Sequence, residues 1–310
     1  MQMNGILNIF KPKGISSQRT VSELKNILNI KKAGHAGTLD PAASGVLLVC
    51  TGYATRIVEF LTDLHKHYTG EMNLGIITDT QDSEGEILQR KEVSSDIDNI
   101  KVKKIFKLYQ GTIAQIPPMY SAVHYKGKRL YHLARRGIEV PRNPKTIKIY
   151  KLKLLNFTHK KNPVIKFEVE CSRGTYVRTL CSDIGNKLGC GAHLSNLIRE
   201  KIGNFSIKDS LYLEDLKNDK ALGKKYLIKV DSALRDLNRI VVDQDNAKIV
   251  LNGGQIANSQ IIKTREITKA KNDKFVKILD TKKNCLAIGL KISGNNNDII
   301  FKPIKVFKNI

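Results

Sequence analysis

The sequence predicts an α+β protein with one large mixed domain and a small β-rich module at its C-terminal end. Up to about residue 238, segments with helical periodicity are interspersed with segments that alternate as strands do. Beyond that point, short strands and turns such as "LNGGQI", "KFVKIL" and "CLAIGLKI" predominate. The 310 residues, of which 41% are hydrophobic, suffice for a sizeable core and a second, smaller one. We therefore predict domains at residues 1–238 and 239–310.

The N-terminal part of the chain contains two predicted helices around a predicted buried strand. In "SSQRTVSELKNIL", Ser16 or Ser17 can cap a helix whose apolar residues share one face, namely Val21, Leu24, Ile27 and Leu28. The apolar run "VLLVC" is typical of a buried strand. After a "TG" turn, "ATRIVEFL" predicts the second helix.

Two segments in the middle of the chain alternate between apolar and polar residues, as half-buried strands do. In "YTGEMNLGII" one face collects Tyr68, Gly70, Met72 and Leu74. In "VIKFEVEC" the inward positions are Ile165, Phe167, Val169 and Cys171. The acidic stretch "DTQDSEGEI" follows the first strand as a turn, and we expect it to point away from any nucleic acid.

Helical spacing returns after the turn "SRG". The segment "TYVRTLCSDIGNKLG" carries an apolar helical face made of Val177, Leu180, Ile184 and Leu188. Arg178 then lies in the first turn after a strand, at an element end where site residues are common. The next segment, "GCGAHLSNLIREKIGNF", places Leu194, Leu197 and Ile198 on one apolar face.

The stretch "GHAGTLDPAASG", residues 34–45, has the composition of a functional loop. Pro41 biases Asp40 toward an extended backbone, and the three glycines permit sharp turns and a close approach of a ligand. A carboxylate on a rigid loop next to a strand is a common position for a catalytic group. An ordinary turn with a capping aspartate would have the same composition, so these twelve residues leave both interpretations open.

Positive charge dominates the composition and predicts a polyanionic partner. The chain has 53 Lys+Arg against 29 Asp+Glu, a net charge of +24, and nucleic acid is the usual partner of such a cation. From residue 121 to 161 there are twelve Lys and Arg, one acid, and interleaved tyrosines and histidines. Basic groups neutralise phosphates and aromatic faces stack on bases. The alternative is a solvated, lysine-rich surface.

Several features predict a cytoplasmic protein that does not bind membranes. No apolar run approaches the eighteen or so residues of a membrane span, and no long basic amphipathic helix is evident. The N-terminal stretch lacks the features of a signal peptide. The five cysteines are scattered without a C-x-x-C pair. This pattern favours structural thiols in a reducing compartment over a zinc site.

Six segments, in the same order and spacing, are similar to the TruB family of tRNA pseudouridine synthases. They are "NIFKPKGISS", "GHAGTLDPAASGVLLVCTGYATR", "HKHYTGEMNLG", "IPPMYSAVHYKGKRLYHLARRGIEVPR", "CSRGTYVRTLCSDIG" and "GCGAHLSNLIRE". The resemblance implies a catalytic domain around a long antiparallel sheet with a central cleft, and a C-terminal PUA-like RNA-binding module. It further implies isomerisation of uridine 55 in the T loop of tRNA, without metal, organic cofactor or guide RNA.

The resemblance also assigns three residues to the chemistry. Asp40 matches the family's catalytic aspartate, which acts at the ribose either as a nucleophile or as a base that gives a glycal intermediate. Tyr68 matches the active-site tyrosine, which packs on the base and is a candidate acceptor of the C5 proton. Arg178 matches the arginine that pairs with the aspartate, and an adjacent guanidinium favours the ionised carboxylate.

Other matching residues are implied to bind the substrate. The target uridine must be flipped out of its stack, at a cost of a few kcal/mol, and His35 matches the residue that holds the vacated space. The alternative is that His35 and Asp40 together bind a metal ion, which would need a third ligand that the sequence does not offer nearby. We expect residues 120–150 to form a thumb-like insertion over the T loop. The remaining substrate-binding assignments are Lys11, Pro12, Leu197, Tyr176, Arg135 and Arg136.

Rival functions remain at this point. A guide-RNA-dependent relative that modifies ribosomal RNA shares the aspartate motif, although the segment "MYSAVHYKGKRLYHLARRGIEVPR" favours the stand-alone bacterial type. A non-catalytic tRNA-binding chaperone would not need the three residues assigned to the chemistry. A metal-dependent nuclease would need clustered carboxylates, which the sequence lacks. We therefore expect a monomer that acts on tRNA without an obligatory protein partner.

Overall fold

A computed structural model describes residues 3–159, 163–265, 274–294 and 298–307. Within these residues, a large sheet and two small hairpins occupy the first two thirds of the chain. The strands of this part are β1 (Gly5–Lys11), β2 (Ala33–Ala36), β3 (Ser44–Thr51), β4 (Lys66–Leu74), β5 (Ile76–Thr78), β6 (Ile87–Arg90), β7 (Gly111–Gln115), β8 (His124–Tyr125), β9 (Lys128–Arg129), β10 (Lys145–Thr158), β11 (Val164–Cys171), β12 (Ala192–Ile202) and β13 (Phe205–Ser206).

Helices cover the sheet edges and connect the strands. The α-helices are α1 (Ser17–Leu28), α2 (Val58–Thr62), α3 (Asn99–Leu108), α4 (Leu130–Ala134), α5 (Val177–Leu188), α6 (Leu213–Asn218), α7 (Ala221–Lys225), α8 (Val230–Ala233) and α9 (Gln244–Leu251). The predicted first helix is confirmed, with Ser16 rather than Ser17 as its cap: its side chain accepts a hydrogen bond from the amide of Arg19. The predicted second helix begins as a 3-10 turn, Gly52–Ile57, before α2.

The central sheet has the strand order β1-β3-β12-β4-β11-β10-β7, with β2 paired to β3 and β13 paired to β12. Its pairings are antiparallel, as expected, except between β3 and β12. That parallel contact pairs Ile198 with Ser44 and Arg199 with Gly45. The sheet is therefore mixed, and β3, the strand that follows the Asp40 loop, lies directly beside β12.

The two predicted alternating strands are confirmed as β4 and β11, and the structure shows that they pair with each other. Every second residue of β4 from Lys66 to Leu74 is buried, and Ile165, Phe167, Val169 and Cys171 are buried on β11. Gly70 faces Phe167 so closely that a Cβ there would lie 2.6 Å from its ring. This packing joins the sheet to α3 and α5 in the main hydrophobic core.

Strand β12 departs from the predicted apolar face. A register irregularity between Leu194 and Asn196 keeps Leu194 and Leu197 on the buried side, whereas Ile198 turns to the other side. In a regular strand, residues 194 and 197 would point to opposite faces. The expectation that Leu194, Leu197 and Ile198 share a face was therefore wrong for Ile198.

The C-terminal part forms a second, six-stranded sheet, which confirms the predicted β-rich character. Its strand order is β15-β19-β18-β17-β14-β16. It contacts the 3-10 turn Gly52–Ile57 through the ring pair Tyr53–Phe307, and α2 through the ring pair Phe60–Phe275. Its strands are β14 (Asn238–Val242), β15 (Ile256–Ala257), β16 (Ile261–Arg265), β17 (Phe275–Leu279), β18 (Cys285–Ser293) and β19 (Ile299–Val306). Among the described residues, none of the helices has the length and apolar character needed to cross a bilayer.

Asp183 on α5 makes the stability of the fold depend on pH. Burial raises the pKa of its carboxyl from 3.8 to about 6, so the folded state holds this proton more tightly than the unfolded chain. Stability is therefore lost as the pH rises from about 4 to about 6. We expect Asp183→Asn to raise the free energy of unfolding by about 1–2 kcal/mol at pH 8, allowing for partial solvent screening.

Urea unfolding at pH 4.5 and pH 8 measures this effect. The increase in the free energy of unfolding caused by Asp183→Asn should be large at pH 8 and small at pH 4.5. The exposed control Asp209→Asn should not change the free energy of unfolding at either pH. An equal increase at both pH values would mean that the asparagine stabilises the fold for a reason unrelated to the charge of Asp183. That result would contradict the raised pKa as the cause.

Candidate active site

The loop that connects β2 to β3 carries Asp40, and its backbone is fixed from several sides. The hydroxyl of Ser17 donates to the carbonyl of Leu39 and accepts from its amide, both at 2.8 Å. The carbonyl of Pro41, the residue after Asp40, accepts hydrogen bonds from the amide of Gly14 at 2.8 Å and from Lys11 Nζ at 3.4 Å. These contacts hold the residues on both sides of Asp40, so the loop is a rigid support.

Arg199 of β12 holds the two ends of the same loop. Its Nη2 donates to the carbonyl of Gly37 at 3.0 Å, its Nη1 to that of Thr38 at 3.2 Å, and its Nε to that of Val46 at 2.8 Å. The side chain is 1% exposed. Arg199 is not among the site residues predicted from the sequence.

Arg178, in the first turn of α5, contacts the carboxylate of Asp40. Its Nη2 lies 3.1 Å from Asp40 Oδ2 and donates to the carbonyl of Tyr120 at 2.7 Å. Its Nη1 lies 3.6 Å from Asp82 Oδ2. Arg178 is buried while the Asp40 side chain is 40% exposed, so the guanidinium forms the floor beneath a carboxylate that solvent and a ligand can reach.

Asp82 corrects an expectation about the acidic turn "DTQDSEGEI". We expected this turn to point away from nucleic acid, but Asp82 is 6% exposed and lies beside Arg178 in the same site as Asp40. Gln81, at a φ of 64°, turns the chain there, and its carbonyl accepts from the amide of Leu194 at 3.0 Å. Hydrogen bonds from the Thr80 hydroxyl and the Glu84 amide orient the Asp82 carboxylate.

Tyr68 lies on the buried face of β4, directly opposite Arg199 on β12. It is 7% exposed. Burial raises the pKa of its hydroxyl, and the neighbouring positive charge and hydrogen bonding of Arg199 oppose that rise. Tyr68 is therefore a neutral, largely apolar wall with a polar tip, held near the Asp40 loop.

A small open pocket adjoins these groups. It is shallow and is lined by Asp40, Ala42, Ala43, Asp82, Leu194, Ser195, Asn196 and Leu197. The two aspartates provide polar walls, and the alanine and leucine side chains provide apolar ones. The predicted wall residue Leu197 thus lines the same pocket as Asp40.

The other predicted site residues lie around this centre at different depths. Lys11 is fully buried, donates to the carbonyls of Pro12 and Ile15 at 2.7 Å, and therefore supports the turn beside the Asp40 loop. Burial lowers the pKa of Lys11 to about 8, against the raising effect of the Asp40 charge. Pro12 is exposed in that turn.

His35 and Tyr176 are both half-buried. His35 lies on β2, and burial, followed by the charge of Arg199, lowers the pKa of its imidazole. Tyr176 precedes α5, where its backbone amide donates to Gln115 Oε1 at 2.8 Å and its carbonyl accepts from Gln115 Nε2 at 3.1 Å. Burial raises the pKa of the Tyr176 hydroxyl.

Arg135 and Arg136 lie away from the pocket, at the end of α4. Both are exposed, and Arg135 lies over the ring of Tyr131 at 5.7 Å from its centroid. The β8–β9 hairpin and α4 lie in the chain between β7 and β10. The carbonyl of Tyr120, which precedes the hairpin, accepts a hydrogen bond from Arg178, so the start of this segment is connected to the site.

The arrangement presents one accessible carboxylate whose surroundings are already fixed. Arg178 lies against one oxygen of Asp40, so the direction of the carboxylate is set. Such a carboxylate can attack an electrophilic carbon or abstract a proton from a ring held in the pocket. Because the loop backbone is anchored, little reorganisation is needed when a ligand arrives.

Two family models match the chain in succession. Residues 25–177 match the N-terminal domain of the TruB family pseudouridylate synthases, and residues 178–245 match the C-terminal domain of tRNA pseudouridylate synthase B. Of the residues at the site, Asp40, Tyr68 and Asp82 fall in the first match, and Arg178 and Arg199 fall in the second.

Curated relatives extend the similarity over nearly the whole chain. The tRNA pseudouridine synthase B of Clostridium acetobutylicum is 44% identical over 304 residues, which cover 98% of this chain and 99% of the relative. That of Clostridium tetani is 43% identical over 278 residues, covering 88% and 94% respectively.

Solved structures agree at the level of the fold. The archaeal box H/ACA sRNP Nop10–Cbf5 complex matches with a TM-score of 0.73 and 26% identity over 98% of this chain and 86% of that chain. A Cbf5–Nop10–Gar1 complex matches with a TM-score of 0.76 and 28% identity over 98% and 85%. On the family models and the identity to these curated relatives, the chain belongs to the TruB family of pseudouridylate synthases.

Proposed function

We propose that this protein converts uridine 55 in the T loop of tRNA to pseudouridine, with Asp40 acting at the ribose. The observation that carries the proposal is the Asp40–Arg178 pair, with 3.1 Å between Oδ2 and Nη2, at the wall of a small pocket. The curated relatives at 43–44% identity are named for this activity toward tRNA. The net charge of +24 suits a polyanionic substrate.

The reaction balances without an external reactant. The N1–C1′ glycosidic bond breaks, the uracil turns, and a C5–C1′ bond forms. The proton released from C5 is replaced by one at N1, so the product is an isomer of the substrate. Asp40 acts on the ribose as a nucleophile at C1′ or as a base, and the contact with Arg178 orients its carboxylate.

The remaining site residues would hold the substrate in place. Tyr68 and Leu197 would enclose the flipped base on two sides, since both lie on the buried face of adjacent strands. His35 would occupy the space that the base leaves in the T loop, with Tyr176 contributing from the start of α5. Lys11 and Pro12 would support the pocket floor through the turn that contacts Pro41.

We further propose that the protein acts as a cytoplasmic monomer without guide RNA or a protein partner. The solved Cbf5 structures are complexes with other proteins, but the curated tRNA-modifying relatives are much more similar in sequence to this chain. The segment at residues 120–150 would act as a thumb over the T loop. The domain boundary near residue 238 and a PUA-like, RNA-binding role of the C-terminal sheet belong to the same proposal.

Tritium release tests the proposed function directly. Purified protein is incubated with an unmodified tRNA transcript carrying tritium at C5 of its uridines, without metal or added RNA, and the modified position is mapped. One tritium per tRNA, from the T-loop uridine, is expected. Tight binding without release would instead indicate a guide-dependent enzyme or a tRNA chaperone, and the proposal would be withdrawn.

The thumb makes a second, independent prediction. Changing both Arg135 and Arg136 to Ala should weaken tRNA binding and reduce the slope of log Kd against log salt by up to about two, because each lost phosphate contact lowers that slope by roughly 0.7–0.9. Filter binding between 50 and 200 mM salt measures it. As a control, Lys224 and Lys225 of α7 are also exposed but lie outside the thumb.

The double control variant Lys224→Ala with Lys225→Ala should keep the wild-type slope. If the two thumb arginines can be removed with no change of slope, they do not contact phosphate, and the thumb must act in another way.

A further inference from the structure

The buried guanidinium of Arg199 forms no ion pair with any carboxylate in the described part of the chain. It is 1% exposed on β12, and its charge is balanced by the carbonyls of Gly37, Thr38 and Val46. A charge so far from water is costly, and the core could accommodate an apolar side chain at much lower cost. Its presence therefore calls for a role that an apolar residue could not fill.

The three acceptors identify that role. Gly37 and Thr38 are at the start of the loop that carries Asp40, and Val46 lies just after its end, as the third residue of β3. One planar guanidinium, which presents donors in fixed directions, thus ties both ends of the loop to β12. The Asp40 carboxylate is held between these ends.

The backbone around Gly45 shows that this connection is a close one. Gly45 pairs with Arg199 in the parallel contact between β3 and β12 and has a φ of 112°. A Cβ at position 45 would lie 2.3 Å from the carbonyl oxygen of Arg199 and 2.7 Å from its amide nitrogen. Backbone and side chain of Arg199 therefore contact the same loop at adjacent points.

We infer that Arg199 is a positioning residue for the proposed isomerisation. It holds the Asp40 loop at both ends and lies opposite Tyr68 on the adjacent strand β4. The inference rests on the proposed function for its effect on rate. Its physical content is the geometry of the loop, which can be measured without catalysis.

The two substitutions that test it are Arg199→Lys and Arg199→Met. Lysine keeps the charge, but its single ammonium group cannot reproduce the fixed directions of the three N–H donors, and methionine removes both charge and donors. Displacing a catalytic group by about 1 Å can cost about 100-fold in rate. We expect the single-turnover rate constant with saturating enzyme to fall at least about 10-fold in Arg199→Lys, and further in Arg199→Met, with tRNA Kd changed less than threefold.

Lys277→Met is the matched control. Lys277 is also a buried cation, 2% exposed, and pairs with Asp231 where the C-terminal sheet meets α8. Its loss should lower the unfolding temperature but leave the single-turnover rate unchanged when all variants are assayed well below their unfolding temperatures. A general loss of stability would affect this control and the Arg199 variants alike, whereas a positioning role separates them.

Hydrogen exchange gives a readout that does not depend on activity. Backbone amides of residues 37–46 should exchange faster in Arg199→Lys than in the wild-type chain, with unchanged protection in β18 and β19. If the wild-type chain releases no tritium, the proposed function has failed and this exchange result alone decides the positioning role. A folded Arg199→Lys protein with wild-type turnover and wild-type exchange in the loop would overturn the inference, even if Arg199→Met fails to fold.

Discussion

Asp40→Asn should abolish isomerisation and leave tRNA binding within about threefold of the wild-type Kd. The amide has nearly the shape of the carboxylate, but it can neither attack the ribose nor take up its proton. Removing a general base typically costs about 10²–10⁴-fold in rate and removing a nucleophile costs more, so we expect the single-turnover rate to fall by at least about 10²-fold. Binding should persist because the thumb and the other basic surfaces that would contact phosphate are unaffected.

The fold should also tolerate this substitution. The Asp40 side chain is 40% exposed, and Arg178 keeps its contacts with Asp82 and the carbonyl of Tyr120. Tritium release, filter binding and thermal unfolding measured on one preparation separate the three effects. The exposed control Asp209→Asn should match the wild-type protein in all of them. Loss of binding together with turnover would mean that Asp40 is a structural residue, contrary to the proposal.

The parts of the fold that the sequence predicted are those that local periodicity determines. Alternation from Tyr68 to Leu74 and from Val164 to Cys171 reflects a sheet with one buried face, and both strands lie where they were expected. The first helix has a capping serine and an apolar stripe, and it too is confirmed. A buried face leaves its pattern in consecutive residues, so one segment suffices to detect it.

Asp82 was not predicted because its position depends on residues far away in the chain. Nothing in "DTQDSEGEI" distinguishes a buried aspartate from the solvated acids around it. The turn reaches the site only because its backbone pairs with Leu194, more than a hundred residues later, and because Arg178 provides a partner for the carboxylate. Polar, Gly-containing turns carry no periodic signal, so the structure was needed to place this one.

The sequence around Arg199, by contrast, contains a pattern from which a buried charge could have been predicted. Leu197, Arg199 and the register-shifted Ile202 are buried on β12. A charged residue two positions after a buried leucine, in a strand, is a candidate for a buried functional charge. The helical spacing of Leu194, Leu197 and Ile198 hid this pattern, because a β-bulge imitates a helical interval over a short distance.

Arg178→Lys should reduce the single-turnover rate by about 10²–10³-fold, the range typical of removing one preorganised donor from a charged site. The guanidinium reaches Asp40, Asp82 and the carbonyl of Tyr120 at the same time. Lysine keeps one positive charge but lacks the planar fork needed for these directions. The Asp40 carboxylate would then be less well oriented, and the buried carboxylate of Asp82 would lose its contact with the positively charged guanidinium.

The control for this substitution lies five residues earlier in the same segment. Arg173 forms an exposed ion pair with Asp63, of a kind worth little in water, and Arg173→Lys should leave rate and stability unchanged. Arg178→Lys should bind tRNA with a Kd within threefold of wild type while its turnover falls, since the side chain is buried beneath Asp40 rather than on the RNA-facing surface. Turnover within twofold of wild type would show that the charge alone suffices, and the bridging geometry would then have no part in catalysis.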